Sequence, residues 1–192
     1  MSIIVGIKNK EGVILGADKQ ITKYNTASHS ATKIIQMRYS NTAMGTVGYL
    51  RDVNIINSLE EIIGWEDIVK KTLIDEKYIT KYIIPKLFDF FEKYNRVEKE
   101  NNICEFLSEF IFVTSTDLFL IDEDGAIDTK NNYVALVCGE EKVYGYLNTL
   151  ENISQLNMKE CENIIKKAIK QSCKDDIYID NNIDFIKLYK NT

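Results

Sequence analysis

Ser2-Ile3-Ile4-Val5-Gly6, followed by Gly12-Val13-Ile14-Leu15-Gly16-Ala17-Asp18, is the stretch that decides how this chain folds. Both runs are apolar and rich in β-branched residues, and the polar Asn9-Lys10-Glu11-Gly12 between them ends in the glycine a tight turn with φ > 0 asks for. The pair reads as a β-hairpin over about 3–9 and 12–19. Its ends also carry chemistry. Ser2 is small, so Met1 is expected to be removed after synthesis, leaving a free α-amine on a hydroxyl residue. Asp18 closes the second run, and Lys33 follows fifteen residues later. A hydroxyl, an amine, a lysine and a carboxylate suffice to activate a nucleophile without histidine.

Composition narrows the alternatives. The 192 residues are expected to form one domain, 1–192, with a sizeable core. Hydrophobic residues at 45% and charged residues at 28% are ordinary globular values. A net charge of −5 argues against a nucleic-acid partner, which calls for a basic face. No apolar run approaches the roughly 20 residues of a membrane span, and the N-terminus lacks a signal-peptide pattern, so a cytoplasmic protein is expected. Cys104, Cys138, Cys161 and Cys173 show no C-x-x-C spacing, so reduced thiols rather than a zinc site are expected. His29 is the single histidine and reads as a surface loop residue, which argues against a Ser-His-Asp triad and against histidine-held metals. No metal and no cofactor are expected.

Beyond the hairpin, Thr22 to Ser30 reads as a loop, Thr32 to Met37 as a strand, and Thr42 to Gly48 as a small-residue strand ending in glycine. Ile55/Ile56, Leu59 and Ile62/Ile63 recur at helical spacing before Gly64. A second helix is predicted over about 77–95, kinked or started near Pro85. Asn95 to Asn102 reads as a loop or a frayed helix end. Strands return at Phe110 to Thr114, Asp117 to Asp122 and Tyr133 to Gly139, followed by a helix of about 141–150. Asn157 and Glu160 spell a capping box for a last helix whose buried face is Met158, Cys161, Ile164/Ile165 and Ala168. Ile177 to Ile179 and Phe185 to Tyr189 close the chain as strands. This order gives an α+β class, and two antiparallel sheets flanked by helix pairs would make a four-layer αββα sandwich.

Val5-Gly6, Gly12 to Thr22, Thr32-Lys33-Ile34-Ile35-Gln36-Met37 and Ala43-Met44-Gly45-Thr46-Val47-Gly48 resemble the opening third of a proteasome β-type subunit and of its bacterial relative, the HslV peptidase. Asp18-Lys19-Gln20-Ile21-Thr22 is closer to HslV. Order and spacing match along nearly the whole chain, while the specific match covers about the first sixty residues. The resemblance implies the Ntn-hydrolase fold and an N-terminal-nucleophile endopeptidase. Ser2 would then be the nucleophile, its own α-amine the base, Lys33 the charge that tunes both, and Asp18 the carboxylate that orients Lys33. The Gly48 N–H would be the oxyanion donor. Cys138, Gly139 and Asp176 would surround the amine, with Asp175 taking the last role after a one-residue slip.

Three departures from the family pattern stand out. Residue 2 is Ser where the family nucleophile is Thr, Cys138 stands where the resemblance implies a serine near the amine, and Ile179 stands where it implies a second serine. Only Met1 precedes Ser2, so maturation by methionine aminopeptidase is expected. Ile21, Ile35, Thr46 and Leu50 are expected near the first specificity pocket; being apolar or small, they predict cleavage after apolar residues. The resemblance also implies peptide or unfolded-protein substrates, a homo-oligomeric ring and an AAA+ ATPase unfoldase as a partner. Two other readings stay open on the residues: a scaffold subunit whose site has decayed, favoured by Cys138 and Ile179, and an N-terminal-Ser amidase or transpeptidase.

Overall fold

The structure is a computed structural model that describes residues 3–23, 26–29, 31–37, 40–59, 73–100, 103–137, 140–173 and 182–190. The opening hairpin forms as β1 (Ile3–Lys8) and β2 (Gly12–Asp18), paired antiparallel. Asn9 makes the turn: its side-chain oxygen accepts from the N–H groups of Glu11 (2.8 Å) and Gly12 (3.0 Å). Every residue of β2 is buried, which is why its sequence runs apolar without alternation.

The other strands are β3 (Gln20–Lys23), β4 (Thr26–His29), β5 (Ile34–Gln36), β6 (Thr42–Val47), β7 (Val97–Glu100), β8 (Ile103–Phe106), β9 (Glu109–Thr114), β10 (Leu118–Ile121), β11 (Ile127–Lys130), β12 (Tyr133–Val137) and β13 (Ile183–Tyr189). They build a four-stranded sheet ordered β12-β1-β2-β13 and a five-stranded sheet ordered β11-β10-β9-β6-β5, plus the hairpins β3-β4 and β7-β8.

Helix α1 spans Leu50–Ile56. Helix α2 opens as a short α segment, Glu76–Tyr78, passes through a π-helical stretch, Ile79–Ile83, and continues as α over Ile84–Lys93. Helix α3 is Glu140–Asn148 and α4 is Met158–Cys173.

Three clusters of buried side chains show how the layers stack. Between the sheets lie Ile4, Val13 and Leu15 from one and Ala43, Ile111 and Val113 from the other. The alternate residues Ile3, Val5, Ile7 and Ile14 point the opposite way, onto Val143 and Leu147 of α3 and Cys161, Ile165 and Ile169 of α4. On the far side Met44, Phe110 and Phe112 meet Ile55 and Ile56 of α1 and Ile79, Ile83, Leu87 and Phe91 of α2. The result is the expected αββα sandwich. Its α2 side is aromatic: Phe106 stacks on Phe88 with centroids 3.9 Å apart and meets Phe110 edge-on at 5.0 Å.

Several elements differ from the sequence reading. The segment from Thr22 to Ser30, expected as a loop, carries part of the β3-β4 hairpin, with His29 in β4. Asn95 to Asn102, expected as a loop or frayed helix, contains β7. Both ribbons pair only with themselves, so neither needs the apolar alternation that marks a sheet strand. In β7-β8 a single apolar pair, Val97 opposite Phe106, faces the core. Strand β11, at the edge of the five-stranded sheet, carries no alternating apolar signal because Ile127 is its one apolar residue. Near Pro85 the helix does not stop. The proline lacks an N–H, and the π-helical turn that precedes it absorbs the mismatch. Helix α1 ends at Ile56; Ile62, Ile63 and Gly64 lie outside the described residues, as do Ile177 to Ile179. Among the described residues no helix is long and apolar enough to cross a membrane.

Candidate active site

The centre of the site is Asp18, the last residue of β2, which is fully buried. Because β1 and β2 pair with Ile4 opposite Ala17, the start of β1 falls beside Asp18. The N–H of Ile3 donates to Asp18 Oδ1 at 2.7 Å, and Lys33 Nζ donates to the same oxygen at 2.7 Å. Asp18 Oδ2 accepts the N–H of Gln20 at 3.2 Å. Lys33 is only 2% exposed although it is a lysine, a state that requires a paired charge.

Lys33 connects the two sheets. It precedes β5, and its carbonyl accepts the N–H of Thr46 at 3.3 Å, near the end of β6. Two residues further on, β6 gives way to Gly48, whose φ of +128° lies in a region that L side chains rarely adopt. Gly48 is exposed, and its N–H has no hydrogen-bond partner among the described residues. Tyr49 caps α1 without a side-chain hydrogen bond and is 63% exposed, with Leu50 41% exposed beside it.

Under this turn lies a polar cluster that the sequence reading missed. Asp52, in the first turn of α1, is fully buried. Arg96 grips it with Nε on Oδ1 (2.5 Å) and Nη2 on Oδ2 (2.7 Å), and the hydroxyl of Ser108 donates to Oδ2 at 2.5 Å. Bonding to Asp52 holds the Arg96 guanidinium above its ordinary pKa. The guanidinium lies 4.6 Å from the centre of the Tyr49 ring. A signal was available: Asp52 sits three and four residues before Ile55 and Ile56, on the apolar stripe of α1, where a carboxylate must find a partner.

The remaining predicted residues are distributed as follows. Ile35 is half-buried and packs on the cluster between the five-stranded sheet and α1/α2. Thr46 is fully buried, with its hydroxyl donated to the Glu109 carbonyl at 2.8 Å. Leu50 stands at the start of α1, and Ile21 lies in β3 with its side chain outside the described set. Ser2, Cys138, Gly139 and Asp176 lie outside the described residues. Val137, which precedes Cys138, is paired with Ile3, and Ile183, seven residues after Asp176, is paired with Asp18.

Comparison with known proteins agrees with this architecture. The model of the proteasome subunit family matches residues 2–188. Proteasome subunit beta 1 of Desulfurococcus amylolyticus is 21% identical over 192 residues, covering 97% of this chain and 89% of that protein. Among solved structures, the Gly-1 mutant of Anbu from Hyphomicrobium sp. strain MC1 superposes with a TM-score of 0.76 at 11% identity, over 98% of this chain and 82% of that one. HslV from Trypanosoma brucei superposes with a TM-score of 0.64 at 18% identity, over 96% and 97% of the two chains. The fold is that of the N-terminal-nucleophile hydrolases, and the chain belongs to the proteasome subunit family.

Proposed function

We propose that this protein is an N-terminal-serine endopeptidase, active once Met1 has been removed. One observation carries the reading: Asp18 Oδ1 binds both the amide of Ile3 and the ammonium of Lys33. Ser2 is covalently joined to that amide, so its α-carbon is two bonds from an atom anchored beside the buried charge pair. A lysine held charged there favours the neutral form of a nearby α-amine, whose ordinary pKa is about 7.7–8.0. It also favours negative charge on the serine oxygen.

In the proposed reaction the Ser2 hydroxyl oxygen attacks the peptide carbonyl carbon while its proton passes to the Ser2 α-amine. The carbonyl oxygen becomes an oxyanion, which accepts the N–H of Gly48. Collapse breaks the C–N bond, and the ammonium returns the proton to the leaving amine nitrogen. Water then attacks the ester by the same proton route, releasing the acid and restoring Ser2. Asp18 keeps Lys33 aimed through the bond to its ammonium. Cys138, Gly139 and Asp176 are proposed to orient the amine, and Ile21, Ile35, Thr46 and Leu50 to favour an apolar residue before the scissile bond. The reading includes no metal or cofactor. It extends to a homo-oligomeric ring in the cytoplasm, degrading unfolded protein delivered by an ATP-driven unfoldase.

A panel of fluorogenic peptides with apolar, basic and acidic residues before the scissile bond tests it, run beside light scattering for assembly. Wild type is expected to prefer the apolar peptides, and Ser2→Ala to fall to background. Turnover that survives Ser2→Ala would contradict the proposal.

A further inference from the structure

The mechanism above uses the N–H of Gly48 but not the buried cluster beneath it. Gly48, Tyr49 and Leu50 are all exposed, so this turn contributes nothing to the core that would fix its conformation. What it does have is a floor. A Cβ on Gly48 would lie 2.7 Å from Ser108 Oγ, so the Ser108 hydroxyl fills the space directly under the turn. That hydroxyl is bonded to Asp52, whose own N–H donates to the Tyr49 carbonyl at 2.9 Å and closes the turn from the other side. Arg96 holds Asp52 through two bonds while its guanidinium covers the Tyr49 ring. Three distant stretches of chain therefore meet under one exposed amide: the start of α1, the residue before β7 and the β8-β9 turn.

Resting on the peptidase reading, we propose that Asp52, Ser108 and Arg96 are positioning residues that hold the Gly48 N–H in the direction the oxyanion requires. An oxyanion donor acts only when it is fixed before the reaction, and displacement by about 1 Å costs on the order of 100-fold in rate. A buried ion pair is weak evidence for stability, since apolar replacements of like volume are often neutral or better. Here its bonds converge on an exposed turn with a donor to aim.

The test uses the assembled full-length chain. Ser108→Ala deletes one oxygen and is expected to fold, and Asp52→Asn keeps the shape of Asp52 where Asp52→Ala does not. Three quantities are read: kcat and KM for a cleavable peptide, affinity for a peptide boronate with a tetrahedral oxygen, and affinity for a non-cleavable peptide of the same sequence. Ser108→Ala is expected to lower kcat by about 100-fold with KM within about twofold, the pattern of an interaction made only in the transition state. Boronate affinity should fall by the same factor while the non-cleavable peptide binds unchanged. Asp52→Asn keeps one acceptor oxygen for Ser108 or Arg96 and should recover part of what Asp52→Ala loses. The proposal is overturned if an active wild type keeps its kcat and boronate affinity in Ser108→Ala, or if activity falls only in proportion to folded protein. An inactive wild type, or one indifferent to Ser2→Ala, instead overturns the peptidase reading before any of these variants is compared.

Discussion

The Lys33 ammonium lies 2.7 Å from Asp18 Oδ1, and neither side chain is more than 2% exposed. Two charges taken out of water are tolerated only as a pair, so removing one partner leaves an uncompensated buried charge that costs about 3–5 kcal/mol. Lys33→Met or Asp18→Ala alone should lose about that much unfolding free energy in urea titrations and abolish peptide turnover. Combining Lys33→Met with Asp18→Leu should regain much of the stability and none of the turnover. A double variant that recovers both would reduce the pair to a structural role.

Gly48→Ala should be costly for two separate reasons. The φ of +128° is unfavourable for any L side chain, and the new methyl carbon would meet Ser108 Oγ at 2.7 Å. We expect a loss of about 1–3 kcal/mol in stability and at least about 100-fold in kcat, as for loss of one oxyanion donor. Adding Ser108→Ala relieves the contact but not the backbone strain. Stability should therefore return in part while kcat does not.

Glu162 on α4 accepts from Lys166, Lys187 and Lys159, and these bonds bring its pKa down from 4.5 to about 2. A carboxylate with a depressed folded-state pKa stabilises fully above its unfolded value and loses that contribution as pH falls through the folded one. The gain is thus complete above about 4.5 and gone near about 2. Denaturation profiles of wild type and Glu162→Gln should converge across that window. Parallel profiles down to pH 2 would show that the lysines do not hold Glu162 this way.

Helix α4 begins with a reciprocal cap: the Glu160 N–H donates to Asn157 Oδ1 at 2.9 Å and the Asn157 N–H to Glu160 Oε2 at 2.8 Å. Asn157→Ala should lower the unfolding free energy by about 1 kcal/mol. Turnover at 25 °C should be unchanged, because the cap touches none of the residues around Asp18, Lys33 or Gly48. A thermal melt beside the peptide assay checks both expectations.

How much of this was legible in the sequence depends on what each element buries. The β1-β2 hairpin and α4 announced themselves because their apolar spacing faces a core on known sides. The Asp18–Lys33 pair was legible only through its place in a family pattern, since a carboxylate and a lysine fifteen residues apart say nothing of a contact. The β3-β4 and β7-β8 ribbons were missed because polar strands that pair with each other carry no periodic apolar signal. Arg96 and Ser108 were invisible for another reason. They reach Asp52 across separations of 44 and 56 residues, and only the fold brings them together.

The most direct measurement is intact-mass spectrometry of the purified protein before and after treatment with a peptide epoxyketone, which closes a ring on both the oxygen and the amine of a terminal serine. We expect a chain lighter by one methionine residue and a single adduct on Ser2, absent from Ser2→Ala. A chain that retains Met1, or an adduct formed equally on Ser2→Ala, would contradict the proposed function.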